Sequence, residues 1–128
     1  MKHASTALFL LAAAINLAPA VGIFFPERME ALYALSLEDS SLEILMRHRA
    51  VLFGLVGSFL VAAALHRPLR ALGYIAGFVS MISFLLIAWV VGDYSEQLRS
   101  VAVVDLVGIA SLTGAGIVDV AESRWKQR

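Results

Sequence analysis

The sequence contains no cysteine, which removes disulfides, thiolate metal sites and thiol catalysis. Nor does either sign of charge prevail. Ten basic residues offset ten acidic ones, so no overall field points to nucleic acid as a partner. Catalytic motifs are missing too: there is no HExxH, GxSxG, P-loop or GxGxxG, and the short run from Gly114 to Gly116 follows no strand. A proton or ion path would need a train of ionisable groups across the apolar stretches, and only isolated ones occur. The reading is therefore of a protein with no metal and no cofactor, and it leans away from an enzyme without deciding the point.

Polar surface is the scarcest commodity of all. Apolar residues make up 60% of the 128, and the mean hydropathy is +0.83. A soluble fold this small has a high surface-to-volume ratio and needs more polar side chains than that. The excess must face lipid. Four apolar stretches stand out, at about 5–25, 44–65, 69–91 and 101–118, each near the roughly 20 residues that cross a hydrocarbon core as a helix. They show no period-2 alternation, and only helices or closed barrels satisfy their backbone inside lipid. The expected fold is all-α: one integral membrane four-helix bundle occupying residues 1–128.

Charge placement sets the expected orientation. Lys2 and His3, then His66, Arg67 and Arg70, then Arg124, Lys126 and Arg128 all fall on one side of an up-and-down bundle. The other side carries Glu27, Glu30, Glu38, Asp39, Asp93 and Glu96, with Arg28 and Arg99 as exceptions. Basic connections remain cytoplasmic, which places both termini inside a bacterial inner membrane. Within the first outer loop, Pro26 opens a stretch with Met29, Leu32, Tyr33 and Leu35 at helical spacing, expected to be a short amphipathic helix on the surface or over the bundle. Ser40 and Glu43 fit a capping box at the start of the second span. The tight turn around Pro68 makes the second and third spans antiparallel neighbours. A rival reading treats residues 1–20 as a cleaved secretory signal ending in Ala18-Pro19-Ala20, leaving three spans; the apolar run continuing through Phe25 favours a retained helix.

Small residues recur at fourfold spacing in Gly73-x-x-x-Gly77, in Gly54, Ser58 and Ala62, and in Ala110 and Gly114, where helix backbones can approach. Trp89, Tyr94, Trp125 and Tyr74 read as interfacial anchors. Pro19 with Asn16 predicts a kink in the first span, its amide meeting backbone groups that the proline frees. The candidate ligand-binding residues are Arg47, His48, Arg49, Asp105 and Asn16, because polar groups within a span are costly and gather at interior or functional positions. Arg49 and Asp105 lie at similar depths, so one reading is an ion pair between stripes of the second and fourth spans that face each other or a shared cavity; the other places Arg47, His48 and Arg49 in the headgroup layer, where snorkelling makes them ordinary. Asp119 is expected near the basic boundary, paired with Arg124 or Lys126.

The run Arg47-His48-Arg49-Ala50-Val51-Leu52-Phe53-Gly54, the turn at Pro68 and the run Ser80-Met81-Ile82-Ser83-Phe84 resemble a family of small bacterial four-helix inner-membrane proteins of unknown function. Some members carry the label phosphopantetheine adenylyltransferase. That enzyme is a soluble α/β nucleotidyltransferase with a phosphate-cradling histidine motif near its N-terminus, and His3 lies in no such context. The helical plan is also similar to DoxX-like membrane proteins, an analogy of fold that implies no chemistry. The expected role is a bundle that binds membrane lipids, a partner membrane protein or a second copy of itself. The alternative is a membrane enzyme or carrier subunit handling a quinone or isoprenoid at Arg49 and Asp105.

Overall fold

The computed structural model describes residues 2–34, 36 and 39–125. Leu35, Glu38, Lys126 and Arg128, used above to argue loop structure and charge, lie outside the described residues, as do the side chains of Lys2 and Met29. Five α-helices follow one another: α1 (Lys2–Leu17), α2 (Pro26–Tyr33), α3 (Ser40–Leu65), α4 (Arg70–Val91) and α5 (Glu96–Trp125). There is no strand among the described residues. Four segments, His3–Ile23, Ser40–Leu65, Arg67–Val91 and Glu96–Trp125, are long and apolar enough to cross a membrane. This is the make-up of a multi-pass membrane protein. The last of them, expected to be the shortest, is the longest at 30 residues, or about 45 Å. Its polar first and last turns are helical as well, which hydropathy alone does not register.

Local chemistry explains the ends. Pro19 cannot continue the hydrogen-bond ladder, and α1 passes into a 3-10 segment, Ala18–Ile23, rather than breaking. Asn16 donates its amide to Ala12 O at 3.1 Å, one turn before the expected target freed by the proline. The cap of α3 is Asp39, whose carboxylate accepts from Ser41 N at 2.8 Å. This corrects the capping box assigned to Ser40: Asp39 already holds the first turn, and Glu43 pairs forward with Arg47. Helix α2 ends on Ala34 in the left-handed region, φ 52°. α4 ends at Gly92, φ 65°, where a side chain would be strained.

The long helices run up and down in the cyclic order α1, α3, α4, α5, with α1 packed on α3 and α5, and α4 packed on the same two helices from the other side. α3 and α5 make no close backbone approach. The expectation that the second and fourth spans face one another is thus corrected. α1 intervenes because its Ala12 and Ala13, both fully buried, let it nest between them. The other diagonal is pinched where Phe9 of α1 reaches Gly73 of α4.

Phe9, Ala12, Ala13, Leu60, Ala63, Met81, Leu112 and Ala115 form the main core. Around them the surface is apolar: Leu45, Leu55, Ile75, Ile87, Trp89 and Val90 are all more than 60% exposed. A soluble monomer rarely shows more than a few hundred Å² of contiguous apolar surface, whereas in a bilayer this belt is the solvated face. Packing between small residues, not exclusion of water, then holds the helices together. Gly57 against Leu17, Gly73 against Ala63 and Gly77 against Leu112 are the tight contacts, so these glycines serve the intramolecular core. Ala110, by contrast, is exposed.

A second, smaller core at the far end joins Tyr33 of α2 to Met46 and Ala50 of α3, with Leu98 and Val101 of α5 packed against it. α2 therefore caps the bundle through a buried tyrosine. Burial raises the Tyr33 phenol pKa above its usual 10.0, against an opposing pull from the Arg49 charge, so the hydroxyl stays protonated at neutral pH.

Candidate functional site

Two polar centres occupy opposite ends of the bundle. The first lies toward the α3–α4 turn. Arg70 is buried and uses one terminal nitrogen to bond Asp119 Oδ1 and Ser5 Oγ, both at 2.6 Å. Its other terminal nitrogen donates to Thr6 Oγ1 at 2.7 Å and Ala64 O at 3.1 Å. Ser5 donates to Asp119 Oδ1, and Tyr74 donates to Asp119 Oδ2 at 2.8 Å. Next to it Arg67 pairs with Glu122 at 2.7 Å. Every basic group here meets an acidic one, so the cluster is neutral and largely saturated. Among the described residues, only Arg70 Nε is buried without a partner. Such a centre fixes α1, α4 and α5 against each other.

This corrects two expectations. Asp119 pairs with Arg70 of α4 rather than with Arg124, because its face of α5 turns into the bundle; Lys126, the other expected partner, lies outside the described residues. Tyr74 is no boundary anchor, since its hydroxyl is committed to Asp119 and its ring packs on Phe9 at 4.9 Å between centroids. The sequence did carry a signal. Arg70, Gly73, Tyr74 and Gly77 share one face at i, i+3, i+4 and i+7, the close-packing face of α4. An arginine on that face belongs to the helix interface as well as to the turn.

The second centre lies toward α2. Arg49 and Asp105 each sit nine residues into their helices, about 14 Å from the start. They are close enough to interact electrostatically. No ion pair within 4.0 Å joins them among the described residues, which excludes the paired reading: α3 and α5 make no close backbone approach, and Arg49 turns toward α4 instead. Its guanidinium carbon lies 5.2 Å from the centroids of Tyr33 and Phe53 and 5.4 Å from that of Phe84. Stacking on ring faces holds a guanidinium by cation–π attraction and leaves the N–H edge free.

Beside this cage an apolar groove of about 480 Å³ runs between α3 and α4, lined by Arg49, Leu52, Val56, Ser80, Ile87 and Val91 among others. Asp105 is buried but does not line it.

Of the other candidates, Asn16 is buried and tied on both sides, accepting from Ser80 Oγ at 2.8 Å. It joins α1 to the floor of the groove. Arg47 and His48 are exposed, and Arg47 pairs with Glu43 one turn before it. Exposed pairs of this kind contribute little, so Arg47→Ala and His48→Ala should each change stability by less than about 0.5 kcal/mol in detergent melts. A larger loss from either would place it in the centre. No group of three metal-ligating side chains occurs among the described residues. Comparison with family models, curated proteins and solved structures finds no match for the chain.

Proposed function

We propose that the protein is a non-enzymatic bundle of the bacterial inner membrane that holds a single-chain amphiphile with an anionic head in the groove beside Arg49. One observation carries the reading. The guanidinium is fixed among three rings, yet among the described residues no protein acceptor meets its N–H groups, and it stands at the wall of an apolar groove. A planar fork of donors suits the paired oxygens of a carboxylate or phosphate. The volume suits a small ligand, for which pockets of about 300–1,000 Å³ are usual. Leu52, Val56, Ile87 and Val91 would take the chain, with Ser80 at its far end.

The orientation with both termini in the cytoplasm rests on His66, Arg67, Arg70 and Arg124 gathering at one end of the bundle. Retention of the first helix is supported by its place in the core, where removal would expose Leu60, Ala63 and Leu112 and take two hydroxyl acceptors from Arg70. A carrier or enzyme subunit for a quinone or isoprenoid is the second reading. Asp105 favours it, being a buried carboxylate within electrostatic reach of Arg49.

Native mass spectrometry from mild detergent tests the proposal. The wild-type protein should retain an acidic amphiphile as a one-to-one adduct on the full-length mass, and Arg49→Gln should lose it while Arg49→Lys keeps a weaker signal. An adduct of the same mass and occupancy on Arg49→Gln would overturn the assignment. A neutral quinone-like adduct would select the second reading.

A further inference from the structure

A larger groove lies at the other end and on the other side of α4. α4 and α5 pack tightly where Gly77 meets Leu112 and Gly108 meets Met81; toward the basic end the Tyr74 side chain reaches across to Asp119. At Gly116 a Cβ atom would stand 3.8 Å from the Tyr74 ring, ordinary contact distance rather than a clash. The opening is about 1140 Å³ and is walled by Tyr74, Phe78, Leu112, Ile117, Arg124 and Trp125 among others. From Leu112 to Trp125 it follows α5 for about 20 Å, more than the roughly 15 Å depth of one leaflet's hydrocarbon.

Charge is distributed unevenly around this groove. The acidic residues of the last two turns of α5, Asp119 and Glu122, are engaged with Arg70 and Arg67 and do not line it. Arg124 does line it, is exposed, and meets no carboxylate among the described residues. Trp125 is 78% exposed beside it, an amphipathic ring of the kind that settles at headgroup level. The groove thus has a long apolar wall and a single cation at its mouth, at the end where the chain's basic residues gather.

We infer that the α4–α5 groove is a site for one anionic phospholipid of the leaflet at the basic end, with an acyl chain along Phe78, Leu112 and Ile117 and the phosphate against Arg124. The inference is independent of the Arg49 groove, which lies at the opposite end and between different helices. Tyr74 connects the lipid to the core of the fold. Its ring forms the wall while its hydroxyl holds Asp119, so an occupied groove also supports the Arg70 cluster.

The test is titration of delipidated full-length protein with phosphatidylglycerol and with phosphatidylcholine, followed by native mass spectrometry. The wild type should favour phosphatidylglycerol by about fivefold, the preference one surface cation confers. Arg124→Ala should abolish the preference and Arg124→Glu reverse it, both at an exposed position where packing is left intact. Gly116→Leu should fill the groove and lower retention of both lipids, whatever their charge. Equal retention of the two lipids by the wild type, or a preference that survives in Arg124→Ala, would overturn the site. A preference lost in Arg49→Gln but kept in Arg124→Ala would move it to the other groove.

Discussion

Asp119→Leu is expected to destabilise the protein by about 3 kcal/mol, because it leaves the Arg70 guanidinium buried without its counter-charge. Arg70 is only 9% exposed at its side chain, and Ser5, Thr6 and Ala64 O cannot neutralise it. In detergent the melting midpoint should fall by on the order of 10 °C, with α1 released first since Ser5 shares the lost carboxylate. The reciprocal change, Arg70→Met, should cost less: Asp119 is 22% exposed and keeps Tyr74 and Ser5 as donors. The double variant Arg70→Met with Asp119→Leu should recover most of the loss, since a well-packed apolar pair can replace a buried ion pair at little cost. Equal melting of wild type and Asp119→Leu would show that the pair contributes nothing to the fold.

Gly73→Val is expected to be the most damaging change among the glycines. A Cβ at this position would stand 2.6 Å from Ala63 Cβ and 2.8 Å from the Phe9 ring, with no room for any further methyl. Ala63 has no rotamer to adopt, so the α3–α4 pair must separate, opening the contacts that bury Phe9 and Leu60. Overpacking of this kind costs about 1–3 kcal/mol or more. Gly116→Ala is the control: its nearest neighbour would be the Tyr74 ring at 3.8 Å, and alanine is the better helix former by up to about 1 kcal/mol. Comparable melting temperatures for Gly73→Val and Gly116→Ala would mean that close approach at Gly73 is not needed.

These two sites differ in how far they could be read from residue order. Gly73 and Gly77 stand out as a small-residue stripe, and their use in packing follows from spacing alone. The four spans, their up-and-down course and the short α2 were equally visible, since hydropathy and turn residues are local properties. Pairings between helices were not. Arg70 and Asp119 are 49 positions apart and Ser5 and Asp119 are 114 apart. Which partner each takes depends on the rotation of α1, α4 and α5, and periodicity alone leaves that open in helices that are apolar all round. Arg49 illustrates the same point. Its depth matches that of Asp105, but the cyclic order sets α3 and α5 on a diagonal, and Arg49 faces Phe84 of α4. Its cage required Tyr33, contributed by a loop helix whose docking no span pattern specifies.

The central place of α1 has a consequence for biogenesis. This helix is made before α3, α4 and α5, yet its fastening to Asp119 needs α5. Until residue 119 emerges, Arg70 waits in a nascent chain without a carboxylate, beside hydroxyls that only partly satisfy it. A polypeptide ending before α5 would thus leave Arg70 without its counter-charge and α1 without one of its two flanking helices.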